Sequence, residues 1–224
     1  MIYRHPRWMR AALSACLLFA SSSVMAQEDR ITAELERIEQ TLEARIGFAA
    51  HNLATGQRWE VNADERFAMS STFKTLACGA LLEQVDEGQL ALETEVSFEE
   101  SDLVTYSPVT EQYAGHRPMT LFELWDATMT TSDNTAANLV LQALGGPEAV
   151  TAFARSMDDP VTRLDRFETE LNEATPGDER DTTTPNAMLA TLEKLVLGDV
   201  LSDESRQQLE AWMKGNAVAD GLNE

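Results

Sequence analysis

The hydrophobic pattern of the chain is divided: strand-like runs occur only near the start, and from Met69 onward almost every apolar repeat is helical. Ile46-Gly47-Phe48-Ala49-Ala50-His51-Asn52-Leu53 and Gln57-Arg58-Trp59-Glu60-Val61-Asn62, joined through Ala54-Thr55-Gly56, read as a β-hairpin. Before them, Ile31, Leu35, Ile38 and Leu42 recur at helical spacing. After them, Phe73, Leu76, Ala77, Ala80, Leu81 and Val85 trace one face of a helix that stops near Gly88. Further helices are expected at Leu121 to Met129, Asn134 to Leu144, Glu148 to Met157, Pro185 to Leu197 and Ser202 to Lys214. Between Asp158 and Pro185 the chain is charged and aperiodic, and a loop that long inside a compact domain is usually functional or disordered. The pattern predicts an α/β chain with a helical lobe over about residues 69–214. Two strands do not make a stable sheet alone, so partners of the hairpin are expected to be missing from these 224 residues.

The first segment stands apart from the fold. Arg4, Arg7 and Arg10 precede the apolar run Ala11 to Ala20 and then Ser21-Ser22-Ser23-Val24-Met25-Ala26, the pattern of a secretory signal peptide over residues 1–26. A mature chain of one domain, 27–224, is expected. Leu13-Ser14-Ala15-Cys16 also resembles a lipoprotein cleavage box, but too little apolar sequence separates Arg10 from Cys16 for lipidation to be the better reading. No later segment approaches the roughly 20 apolar residues of a membrane span, so no membrane association is expected after cleavage. The mature part carries all 38 acidic residues and 14 of the 17 basic ones, a net charge of −24. Nucleic acid and anionic membrane surfaces are therefore excluded as partners. High solubility and adaptation to a saline habitat both account for such a charge.

Lysine occurs only at 74, 194 and 214, and one of the three stands in Ser71-Thr72-Phe73-Lys74 at the start of a predicted helix. That spacing puts a hydroxyl and an amine on one helical face, close enough to exchange a proton, and a serine needs such a base to attack a carbonyl. The helix N-terminus favours an oxyanion, and burial lowers the lysine pKa. A capping serine with a surface lysine is the bland alternative, since about one Ser-x-x-Lys arises by chance in a chain of this size. Ser132-Asp133-Asn134 opens another predicted helix, where all three residue types excel at capping. Read functionally, Ser132 relays a proton and Asn134 orients the lysine and a substrate amide. In the long loop, Glu168 and Asn172 lie four residues apart, able to hold a water between them, against the bland reading of a solvated charge run. Arg166 and Asp181 are expected to pair and close that loop. Cys78 falls on an apolar helical stripe and reads as a buried thiol. With His51 and His116 the only mature histidines, neither a Ser-His-Asp hydrolase nor a metal site is supported.

Taken in order, Ser71-Thr72-Phe73-Lys74, Ser132-Asp133-Asn134, Glu168-Thr169-Glu170-Leu171-Asn172 and Arg180-Asp181-Thr182-Thr183-Thr184-Pro185 closely resemble class A serine β-lactamases, from about Ile31 to Val218. By Thr72-Phe73 and Thr131 to Asn138 the chain looks most like the carbenicillin-hydrolysing penicillinases. The resemblance implies a β-lactamase/transpeptidase-like fold, a helical lobe with an antiparallel sheet lobe of which only the N-terminal helix and hairpin are present. It implies that Ser71 opens the β-lactam ring, that Lys74 and Ser132 move protons, and that Glu168 with Asn172 activates the deacylating water. Asn134 would bind the acylamide of the drug, and Tyr106 would be the aromatic residue at the mouth of the site. A periplasmic monomer acting on a small-molecule β-lactam without cofactor or metal follows. Two departures stand out. Many relatives pair the cysteine matching Cys78 with another near Trp125, so Cys78 is expected to be free. The family's third motif, Lys-Thr-Gly or a variant, does not occur, so a C-terminally truncated chain of little or no activity is expected. The rivals are a penicillin-binding D-Ala-D-Ala peptidase, which Glu168 and Asn172 argue against, and a non-catalytic truncated or sensor domain.

Overall fold

A computed structural model describes residues 30–215, 217 and 218. The expected signal peptide lies outside the described residues. The chain divides into two compact units, Met1–Ala63 and Asp64–Glu224.

In the first unit residues 30–42 form helix α1, followed by antiparallel strands β1 (Phe48–Asn52) and β2 (Gln57–Val61) with Ala50 opposite Trp59. The hairpin turns through Gly56, whose N–H donates to Asn52 O at 2.7 Å and whose φ of +73° favours glycine. Glu39 of α1 ties the hairpin to the helix, because its Oε1 accepts from Ile46 N at 2.6 Å and Asn62 Nδ2 at 3.2 Å.

The second unit is built around α2 (Phe73–Asp86), which buries nine residues between Phe73 and Leu82 and so reads as a core helix rather than an amphipathic one. Around it stand α3 (Leu121–Thr131), α4 (Asn134–Leu144), α5 (Pro147–Ser156), α6 (Pro185–Leu197) and α7 (Asp203–Lys214). Gly79 lets α5 and α6 approach α2, for a Cβ there would meet Phe153 Cε1 at 2.7 Å and Leu195 Cδ2 at 3.0 Å. Side chains cap α3, α4, α6 and α7 but not α2 or α5. Thr120 and Glu123 form a capping box on α3, Asp133 caps α4 through Ala136 N, and Thr184 caps α6 ahead of Pro185.

The structure corrects one expectation. Besides the hairpin there are two further two-stranded pairings, β3 (Phe67–Ala68) with β6 (Thr182–Thr183) and β4 (Glu95–Val96) with β5 (Met119–Thr120). Two-residue strands are too short to show a period of two, so the hairpin is not the sole β structure. The β3–β6 pairing joins the end of the long loop to the segment leading into Ser71, and Met69 N donates to Asp181 O at 2.9 Å in the same seam. No helix among the described residues is long and apolar enough to cross a membrane.

Candidate active site

Ser71 lies in a 3-10 turn, Ser70–Thr72, that runs directly into α2. Thr72 Oγ1 donates to Met69 O at 2.6 Å and pins the turn, while Ser70 holds a φ of +43°, an uncommon conformation for a non-glycine residue. One helical turn on, Lys74 is buried at 3% exposure. Its Nζ lies 3.3 Å from Ser71 Oγ, 3.0 Å from Ser132 Oγ, 2.9 Å from Ser132 O and 2.7 Å from Asn134 Oδ1. Ser132 Oγ donates to Ser71 Oγ at 3.0 Å, closing a triangle of two hydroxyls and an amine.

The link between α3 and α4 puts Ser132 and Asn134 there. Ser132 ends α3 with a left-handed φ of 60°, and Asp133 at once caps α4, so only two residues separate the helices. Asp133 is fully buried and accepts from Val109 N, Thr110 N, Thr110 Oγ1 and Ala136 N at 2.8 to 3.0 Å. It is a cap and also the anchor of the preceding loop. Asn134 donates through Nδ2 to Thr105 O and through its backbone N to Tyr106 O, which fixes the amide with its oxygen toward Lys74. Tyr106 stands beside it with φ +66° and its side chain exposed.

From the long loop comes Glu168, 2% exposed, with Oε1 3.4 Å from Lys74 Nζ. Asn172, four residues on, donates to Glu168 Oε2 at 2.6 Å. The two therefore bond directly rather than only through a shared water. Among the described residues none donates a hydrogen bond to Oε1. The neck of the loop is closed as expected, for Asp181 accepts from Arg166 Nε at 2.5 Å and from the backbone N of Asp165 and Arg166. Burial pushes the Lys74 pKa below its ordinary value, against the opposing pull of Glu168 and Asp133.

A buried amine between two serines, with a buried carboxylate in reach, is machinery for acyl transfer to a hydroxyl. The comparisons agree. The model of the β-lactamase enzyme family matches residues 29–224. The chain belongs to the class A β-lactamases. It is 46% identical to β-lactamases CARB-4 and PSE-4 of Pseudomonas aeruginosa over 206 residues, 92% of this chain and 70% of each relative. Among solved structures, an ancestral class A β-lactamase superposes with a TM-score of 0.81 at 54% identity, over 84% of this chain and 72% of that one. The chromosome-encoded β-lactamase of Vibrio parahaemolyticus gives 0.82 at 48%, over 84% and 71%.

All seven residues singled out from the sequence lie in this cluster or in the loops beside it. One contributor was missed. Asn138 on α4 exchanges two 2.8 Å hydrogen bonds with the Glu168 backbone, donating to its O and accepting from its N. Its signal was an amide on the apolar stripe of α4, flanked by Ala137 and Leu139. Cys78 is free and buried, and the Trp125 indole N–H donates to its sulfur, so the pair is a packed contact and burial drives the thiol pKa well up.

Proposed function

We propose that the chain hydrolyses penicillin-type β-lactams through an ester on Ser71. The observation that carries this is the triangle of Ser71, Lys74 and Ser132 with Glu168 within 3.4 Å of the amine. Ser71 Oγ attacks the ring carbonyl and the C–N bond breaks. The serine proton passes to Lys74 or Glu168 and returns through Ser132 to the ring nitrogen. Asn134 holds the acylamide of the drug and Tyr106 flanks it. Water, deprotonated by Glu168 and oriented with Asn172, then attacks the ester, releasing the ring-opened acid and restoring Ser71.

The leader pattern supports export to the periplasm, and the family a monomer with a small-molecule β-lactam as its partner. No Lys- or Arg-[Ser/Thr]-Gly triplet occurs in the sequence, which supports slow turnover by the 224-residue chain. Rapid hydrolysis of a chromogenic cephalosporin would overturn that part alone. The reaction itself is tested with labelled penicillin on the wild-type chain and Glu168→Gln. The variant is expected to stay acylated for far longer than the wild type. Equal retention by both would favour a penicillin-binding peptidase, and no labelling of either would contradict the acyl-enzyme.

A further inference from the structure

Behind Tyr106 two buried hydroxyls join the loop to α4. Thr135 is fully buried and Ser107 is 6% exposed. Val104 N donates to Thr135 Oγ1 at 2.9 Å, Thr135 Oγ1 and Ser107 Oγ are 2.7 Å apart, and Ser107 Oγ donates to Val104 O at 2.8 Å. Each hydroxyl has one proton. Ser107 spends its own on Val104 O, so Thr135 must be the donor between the two hydroxyls. The bonds then run one way round a closed ring, from Val104 N–H through Thr135 and Ser107 back to the Val104 carbonyl. Such rings polarise cooperatively and hold one geometry. Tyr106 lies inside the segment the ring closes, in a left-handed conformation that a tyrosine adopts only when its surroundings impose it. Asn134, the residue before Thr135, ties Thr105 O and Tyr106 O to the site.

We propose that Thr135, acting through Ser107, is a positioning residue that sets the place of Tyr106, and so governs how tightly the site takes its β-lactam rather than how fast Ser71 reacts. The affinity half of this rests on the function proposed above; the positioning half does not. Thr135→Val removes the hydroxyl at nearly constant volume, and Thr135→Ser retains it. Two readouts separate the claims. Hydrogen exchange at the amides of Val104 and Asn134, whose acceptors are Thr135 Oγ1 and Tyr106 O, should quicken in Thr135→Val and in Ser107→Ala and stay near wild type in Thr135→Ser. The penicillin concentration that half-saturates Ser71 acylation should rise about fivefold in Thr135→Val, the equivalent of one net hydrogen bond, with the limiting rate within about twofold. In a Tyr106→Ala background Thr135→Val should add nothing further. Unchanged exchange overturns the positioning role. A fall in limiting rate with half-saturation unchanged, or an effect that persists without Tyr106, overturns the affinity role. A wild-type chain that is never acylated defeats the reading of the site, and the exchange result still decides the role of Thr135.

Discussion

Lys74 faces five oxygen atoms, from Ser71, Ser132 twice, Asn134 and Glu168, and the two hydroxyls among them can donate as well as accept. A neutral amine gives its two N–H bonds to Asn134 Oδ1 and Ser132 O and leaves its lone pair for a serine proton. Burial favours that neutral form, and Glu168 opposes it without reversing the direction. The acylation rate should therefore rise with pH through an ionisation below the ordinary lysine value of 10.5. Lys74→Arg, which cannot deprotonate, should lose that limb and about 10²-fold or more in rate. A pH–rate profile of Lys74→Arg that matched the wild type would remove Lys74 as proton carrier. Asn138 gives a second test at this scale. Asn138→Ala frees the Glu168 backbone and should slow release of the acyl group by about tenfold, with little change in its formation. Single-turnover kinetics on the two steps check it. The sequence marked Ser71, Lys74 and Glu168 because nucleophile, base and carboxylate are chemical types at readable spacings. Asn138 escaped because it works through backbone atoms 30 residues away, a partnership that no local pattern encodes.

At the scale of elements, caps and hydrophobic periods located the helices, while the two-residue strands left no period to read. The predicted span of α4, Asn134 to Leu144, is the observed one, since Asp133 and Gly145 bound it; α3 runs two residues past the expected Met129 to Thr131. Gly79→Ala should destabilise the second unit, because the added methyl meets the ring of Phe153 on α5. Overpacking of this kind costs about 1–3 kcal/mol, and the urea midpoint reads it. The long loop depends on carboxylates at both ends. Burial pushes the Asp159 pKa up, but donors from Thr162, Val161 and Thr191 outweigh it and the net shift is downward. Arg163 and the Asp181 backbone lower Asp165 likewise. Carboxylates depressed in the folded state contribute stability that is full above the ordinary aspartate value and is lost as pH falls toward the lowered one. Unfolding stability should drop below about pH 4, and Asp159→Asn should flatten that drop. A variant as acid-sensitive as the wild type would show that Asp159 does not carry the effect.

For the whole molecule, charge and ancestry matter most. A formal charge of −21 repels itself at low ionic strength, and the Debye length shrinks to about 3 Å at 1 M salt. The urea midpoint should climb as NaCl is raised from about 50 mM to about 1 M, and a flat response would mean that the acidic surface has no energetic effect. Family and fold were legible because motifs at wide separation, from Ser71 to Asp181, occur in one order along the chain and meet in one site or in the neck of the loop beside it. The hairpin in the first unit carries no such motif, and it was legible from its own alternation and the turn at Gly56 alone. The whole proposed reaction depends on Ser71 forming the covalent bond. The direct measurement is the mass of the chain after incubation with a penicillin, with the modified peptide sequenced. The expected gain equals the intact drug, since ring opening loses no atoms, and it is located on Ser71 and absent from Ser71→Ala. A gain located on another residue, or one that survives in Ser71→Ala, would contradict it.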